Sequence, residues 1–407
     1  MLLLRCYPKV TDWIYEVSGQ AHGADFRFLP IYSYGFWVAA GFFAAAVVAV
    51  WEMRRREKLG LMVGEDKEII IGEPFNQIEF ALHAFGGFAV FYKLVGIFFV
   101  DLEKLRTHAI SFNDYIFSTS HGSMIGGLIG AVLMGAFYYY TNKKQQLPTP
   151  QKKTIKVYPS DNIGDLVVIA AVLGILGAVL FNFFETEGGI ERFKQDPIGF
   201  LTSGLSVFGG LICAGIGFGI YAYKKKIHIG HLFDSVAPGY ILANGIGRLG
   251  CHTAGDGDWG KPVEGIKPSW LPDFMWSSHY EHNIINEDVN TFIEGCTEEH
   301  CHMLKEAVYV TPIYEFLMCT LICIILLSIR KKVTYMPGMI FTIFLILIGI
   351  QRFSIEQWRA MSDRNPIMLF GAAFKQSEVI SMIMFAAGIV GTAYLYNYYK
   401  KKANPLA

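Results

Sequence analysis

The sequence predicts an all-α polytopic membrane protein, on three observations. Of its 407 residues, 53% are hydrophobic and 17% charged, where soluble domains carry about 25% charged residues. The mean hydropathy is +0.35. The charges gather in short clusters between apolar runs near the ~20 residues that a bilayer crossing needs. Basic clusters follow every second run.

About nine spans are predicted, at roughly 33–51, 79–100, 121–140, 162–184, 202–223, 231–250, 308–329, 336–354 and 377–399. The first opens on YSYGFW and ends before RRREK. The second and third are rich in Gly and aromatic residues, and KKQQ and QKKTIK follow the third. The fifth ends in KKK. The sixth is the weakest, because Asp234 and Pro238 interrupt it, and broken apolar helices often line cavities. The seventh starts at TPIYEFL and ends before RKK; the ninth ends in KKK. Even-numbered spans end instead in DLEKLR, ETEGG, a Gly-rich turn and RFSIEQWR. The positive-inside rule then places the N-terminus outside and the C-terminus in the cytoplasm. MLLLRCYPKV is too short for a cleavable signal peptide and has no small-residue cleavage site. The expected organisation is one transmembrane domain, 1–407. Within it, 52–160 adds a span pair with cytoplasmic loops, and 252–306 forms a periplasmic loop between spans six and seven.

TSHGSMIGGLIGAVLMGAFYYYTNKK (119–144) and TSGLSVFGGLICAGIGFGIYAYKKK (202–226) look alike. Spans two and three are then a degenerate copy of four and five. Alternatively, Gly-rich membrane helices look alike because small residues let helices approach closely.

Four stretches carry candidate chemistry. In GIGRLGCHTAGDGDWGK, Arg248 sits at the mouth of a span beside Gly245, Gly247 and Gly250. A charge there costs about 2.5–3.5 kcal/mol and marks a functional candidate. Its planar fork of donors matches a phosphate; a snorkelling arginine is the plainer reading. In GIQRFSIEQWRAMSD, Arg352, Glu356 and Arg359 share one helical face, as an anion site or a self-satisfied ion-pair stripe. In TPIYEFL, Glu315 and Tyr314 follow a Thr-Pro helix start, and capping with an interface aromatic is the alternative to a site. Tyr34 and Gly35 open span one, where an aromatic belt is expected. In GCTEEHC, Cys296 and Cys301 favour a disulfide in an oxidising outer compartment. Two free thiols, or zinc with His300 and His302, are the alternatives. Trp270, Trp276 and Tyr280 suit the same loop to a signal peptide or the membrane surface. There is no Walker motif, no HExxH pair and no nucleic-acid patch.

Taken in order, YG in span one, GLSVFGGLI (204–212), D-x-x-AP (234–238), GIGRLG, TP-x-YE and RF-x-x-E-x-x-R resemble prolipoprotein diacylglyceryl transferase. The extra span pair, the GDGDWG turn and the GCTEEHC loop resemble the longer form found in Bacteroidota. The resemblance implies transfer of the diacylglyceryl group of phosphatidylglycerol to the thiol of a lipobox cysteine, forming a thioether and releasing glycerol phosphate. This is the first step of lipoprotein maturation. It implies phosphatidylglycerol, prolipoprotein signal peptides and membrane lipids as partners, with no cofactor, metal or nucleic acid. The expected location is the bacterial inner (cytoplasmic) membrane, with the active site toward the periplasmic face.

By that resemblance Arg248 and Arg352 hold the phosphate and are catalytic. Tyr34, Gly35, Gly247, Gly250, Tyr314, Glu315, Glu356 and Arg359 line the substrate site, Glu356 orienting an arginine. The family pattern has a histidine where Phe208 stands, an asparagine where Cys251 stands, a glutamate best matched by Asp256 or Asp258, and an arginine lost near Ile175. A free cysteine with a pKa near ~8.5 is about 3% thiolate at neutral pH, so the arginines are expected to carry most of the catalysis. His252, Asp256 or Asp258 then assist the thiol, with His121 a remoter substitute. A catalytically inactive lipid- or lipoprotein-binding relative, or an anion transporter, are the alternatives.

Overall fold

A computed structural model describes residues 6–18, 31–72, 74–106, 109–110, 115–116, 118–185, 188–195, 207–285, 290–296, 300–360, 367–369 and 372–403. Among them are nine helices of eighteen residues or more: α1 (Ser33–Lys58), α2 (Gln77–Phe99), α3 (Met124–Gln145), α4 (Ile163–Glu185), α5 (Val207–Lys224), α6 (Ile229–Ala254), α7 (Thr311–Ile329), α8 (Met339–Glu356) and α9 (Gln376–Ala403). The protein is an all-α polytopic membrane protein. Seven of these helices (all but α5 and α6) are long and apolar enough to cross a bilayer. Large apolar side chains such as Phe43, Ile125, Val132, Val168 and Val390 are exposed on them, a surface suited to lipid rather than water.

Two compact units form. One comprises Lys9–Tyr32 and Glu65–Lys156 and holds α2 and α3; the other comprises Met1–Pro8, Ser33–Gly64 and Val157–Ala407 and holds the remaining long helices. In the smaller unit α2 packs on α3. A Cβ on Gly87 would strike the Gly130 carbonyl and Met134, and one on Gly130 would strike the Gly87 carbonyl and Phe91. In the larger unit α4 packs on α5 in the same manner. Gly177 abuts the Gly209 carbonyl and Cys213, and Gly209 abuts the Gly177 carbonyl and Phe181. Gly130 therefore does the work of Gly209, one helical turn away from the GGLI-on-GGLI alignment, which pairs Gly209 with Gly126.

α6, which is not among those seven, is central to the larger unit. α6 packs on α1, α7 and α8 and buries His231, Asp234, Pro238, Gly245, Gly250, Cys251 and His252. The expected interruption does not occur: α6 runs continuously through Pro238. Its surroundings explain why. A Cβ on Gly239 would meet the Ala45 carbonyl at 2.6 Å, one on Gly41 the Ala243 carbonyl at 3.0 Å, and one on Gly245 the Cys319 Cβ at 2.8 Å. Packing by protein on several sides, rather than by lipid, tolerates both the proline and the polar residues. The apolar core continues through Ile241, Cys319, Ile322, Leu326, Ile340 and Phe344.

Between α6 and α7 the chain forms short antiparallel pairs, Ser277–Ser278 with Val308–Tyr309 and Asn290–Phe292 with His302–Leu304. Cys296 and Cys301 are joined by a disulfide with Cα atoms 5.7 Å apart, which uses both thiols. Trp259, Tyr280, Leu304, Val308 and Val310 form the loop's core. Trp270 instead is exposed.

Candidate active site

Three helices and one turn converge on the second half of α6. Gly255, in the left-handed conformation at φ +64°, caps α6, and Gly257 follows at φ +97°. Glycine tolerates both at little cost. The reversal brings Asp256 and Asp258 back against the helix end, where the Cys251 sulfur and both carboxylates lie within 4.8 Å of one another. The turn is tied down by Lys261 N–H donating to the Trp358 carbonyl at 2.9 Å and Gly260 N–H to that of Tyr309 at 2.8 Å. The Thr311 hydroxyl donates to the Asp258 carbonyl at 2.7 Å.

Glu315 is the hub. It lies just past the first turn of α7, which Pro312 starts, and it is buried. Arg248 Nε lies 2.9 Å from it, Arg352 Nη1 3.7 Å away and Arg359 Nε 3.7 Å. Asp258 pairs with both Arg248 and Arg359. Glu356 stands 3.5 Å from Arg352, 4.0 Å from Arg359 and 3.3 Å from Lys375. Arg359 arrives differently from the helical face read in the sequence. α8 ends at Glu356, and Arg359 is held by a bridge to Gly260 in the turn that follows.

The pairing is incomplete. Arg352 Nη1 is buried and has no acceptor at hydrogen-bonding distance, Arg359 Nη2 touches Asp258 without hydrogen-bond alignment, and Glu315 Oε1 and Glu356 Oε2 lack a donor. Buried donors in that state carry a cost, which an incoming anion with several acceptor oxygens would relieve.

The two aspartates differ. Burial disfavours the Asp258 charge, but Arg248, Arg359 and Arg352 together outweigh it and hold Asp258 below the usual carboxylate range. Asp256 is pushed up, by burial first and then by the neighbouring Asp258 charge, while hydrogen bonds from Cys251 and the Asp258 amide act against the rise. Asp258 is thus a fixed anion within the arginine cluster, and Asp256 is a carboxylate more easily protonated.

Other sequence candidates fall around this cluster. Tyr34 packs on Gly250, where a Cβ would meet its Cα at 3.2 Å, and lies within electrostatic reach of Arg248, Asp256 and Asp258. Gly35 and Gly247 have open space where a Cβ would stand. The Tyr314 hydroxyl donates to the carbonyls of Met275 and Trp276 at 2.9 and 3.3 Å, anchoring the long loop. His252 Nδ1 meets the Tyr280 hydroxyl at 3.1 Å. His121 lies in the smaller unit, 3.8 Å from Asp101. GLSVFGGLI is described only from Val207 on, and the Phe208 side chain lies outside the described residues. Lys375 is a member of the cluster that no sequence motif marks. No helical spacing relates it to Arg352, so only the packing of α9 on α8 could reveal it.

Comparison with known proteins bears on the same helices. The family model for prolipoprotein diacylglyceryl transferase matches residues 141–394, from the end of α3 into α9. Similar proteins include a Streptococcus uberis phosphatidylglycerol–prolipoprotein diacylglyceryl transferase, 26% identical over 241 residues, 59% of this chain and 80% of the relative. A Streptococcus pneumoniae protein of that name is 28% identical over 272 residues, 67% of this chain and 87% of the relative.

Proposed function

We propose that this chain, which belongs to the prolipoprotein diacylglyceryl transferase family, transfers the diacylglyceryl group of phosphatidylglycerol to the lipobox cysteine of prolipoproteins, the first step of lipoprotein maturation. One observation carries the chemical reading. Arg248, Arg352 and Arg359 surround Glu315, and the buried Nη1 of Arg352 has no hydrogen-bond acceptor.

The phosphodiester of the lipid sits against these guanidiniums. The substrate thiolate attacks the glyceryl carbon bonded to the phosphate oxygen. A C–S bond forms, the C–O bond breaks, and glycerol phosphate leaves with the bonding pair. Charge grows on the departing phosphate, where positioned arginines act most strongly. Glu315 and Asp258 hold Arg248 and Arg359 in place, and Glu356 does the same for Arg352. Asp256 takes the thiol proton. Its support is its position beside the Cys251 thiol and its raised proton affinity, since a base is most effective with a pKa nearer the working pH.

The orientation belongs to the same proposal. The basic clusters after the odd-numbered helices put this end of α6 on the periplasmic side of the bacterial inner membrane, where lipoprotein precursors present their cysteine.

Reconstitution with phosphatidylglycerol and a lipobox peptide tests the proposal. The expected product is a peptide with the diacylglyceryl mass on its cysteine. An unmodified peptide beside a working control enzyme would instead support the second reading, a relative that binds lipid or lipoprotein without turnover. Phe208, standing where the family pattern has histidine, is what favours that reading.

A further inference from the structure

We infer that Lys375 is a fourth cation of the phosphate site and sets its preference for an anionic lipid headgroup. The inference rests on the transferase reading and adds to it the residue that offsets the site's excess of carboxylates.

Without Lys375 the carboxylates of the cluster outnumber its cations. Three arginines, Arg248, Arg352 and Arg359, stand among four carboxylates, Asp256, Asp258, Glu315 and Glu356. A site with a negative excess disfavours a lipid of net negative charge relative to a zwitterionic one. Lys375 Nζ, 3.3 Å from Glu356, brings the count to four cations and four anions and removes that excess.

The position is built. The Lys375 N–H donates to Glu378 at 2.9 Å, and Glu378 accepts from Gln357 at 2.6 Å. Glu378 thereby fastens the start of α9 to the end of α8. Close packing reinforces the joint, since a Cβ on Gly349 would lie 2.8 Å from the Ser381 carbonyl. Lys375 also immediately precedes α9, whose N-terminal dipole favours an anion at the same place. The side chain keeps about a quarter of its surface exposed, against 6% for Glu356, so the ammonium is reachable. Through Glu356, shared with Arg352, it joins the row of guanidiniums.

The test compares the full-length protein with K375Q and K375R in two readouts: transfer kinetics with phosphatidylglycerol, and direct binding of glycerol phosphate by titration calorimetry. The expected result for K375Q is a roughly five- to tenfold rise in KM for the lipid and a comparable loss of glycerol phosphate affinity, with kcat within about twofold. K375R should recover most of both. Unchanged KM and binding in K375Q would overturn the inference while leaving the transferase reading intact. Equal losses in K375Q and K375R, together with a lowered unfolding temperature, would overturn it in favour of a purely structural ion pair with Glu356. A parent protein that binds glycerol phosphate through Lys375 yet modifies no peptide would uphold the inference and sink the transferase reading. Failure of the parent protein to bind glycerol phosphate would overturn both.

Discussion

The larger unit carries ionic clusters at both ends of α6, and they are built to different specifications. Toward the start of the helix, Asp234 accepts the backbone N–H groups of Gly338 and Phe341, each at 2.9 Å, at the beginning of α8. Arg56 lies 3.4 Å from Asp234 and 2.8 Å from the His231 ring. Glu52 pairs with Arg55 and Arg330, and Arg330 lies over the Trp51 ring. Arg56, Glu52 and Asp234 are all fully or almost fully buried. Toward the other end, Arg248, Arg352 and Arg359 remain partly exposed, although both clusters contain contacts stretched to about 4.0 Å and buried guanidinium nitrogens without a hydrogen bond. The first cluster joins α1, α6, α7 and α8 around a centre of Arg56, Glu52 and Asp234 that is closed to outside groups. The second keeps an edge of each arginine open. An ionic cluster that stabilises and one that binds are thus told apart by whether their central charges can be reached, more than by how many charges they contain.

Substitution of Arg248 should break the symmetry most sharply. R248A is expected to reduce transfer by at least ~1,000-fold, since it removes a charged contact made as the phosphate departs. R248K should recover only a small part, because an ammonium cannot reproduce the planar fork. Product mass on the lipobox peptide measures both, and near-normal transfer by R248A would refute the phosphate clamp. The matching change at the other cluster should act on folding. D234A strands Arg56 and two backbone donors, and breaking a buried pair in this way costs about 3–5 kcal/mol. Thermal unfolding in detergent should show a large drop, with transfer per folded molecule retained. A folded, inactive D234A protein would mean that this cluster also serves the reaction.

The difference between the clusters was only partly legible in the sequence. The long apolar runs located the helices, because the bilayer sets both length and composition. Helix ends were harder to place. Span one was expected to stop at 51, but α1 continues to Lys58 because Glu52, Arg55 and Arg56 have partners on other helices. Asp234 and Pro238 read as a break for the same reason: sequence shows a polar residue in a span without showing the protein that surrounds it. Arg352 and Glu356 were readable from their spacing of four residues. Arg359 was readable as a site residue from the same motif, but it lies beyond the end of α8 and owes its position to the bridge to Gly260, while Lys375 required the packing of α9 on α8. The repeat shows the limit from another side. GGLI matched GGLI by composition, while contact geometry equates Gly130 with Gly209.

Replacing Asp256 sharpens the comparison by separating charge from proton transfer. D256N is expected to lower transfer about 100-fold, within the usual range for a lost general base. The pH profile supplies the sign. Asp256 is pushed above the ordinary carboxylate range, so it becomes competent as a base only as pH rises through that raised value, and parent activity should fall on the acid side there. D256N should lose this limb. Asp258, held down by its arginines, stays charged to lower pH. Its contribution to stability should persist above the ordinary carboxylate range and disappear as pH falls through its depressed value. Rate and stability should therefore fail at different pH values, rate first on acidification. A single shared transition would show that the two aspartates act as one unit.

The smallest effect is expected at Tyr314, which lies one residue from Glu315 and invites the same role. Its hydroxyl is instead committed to the Met275 and Trp276 carbonyls. Y314F should cost about 1 kcal/mol of stability, the typical worth of such a bond, with kcat and KM for phosphatidylglycerol essentially unchanged. A rise in KM without loss of stability would place the hydroxyl on the substrate. The prediction follows from the geometry that separates the two clusters: Glu315 has three guanidiniums to organise, whereas its neighbour has a loop to hold, and a side chain whose polar group is already committed offers the lipid phosphate nothing further.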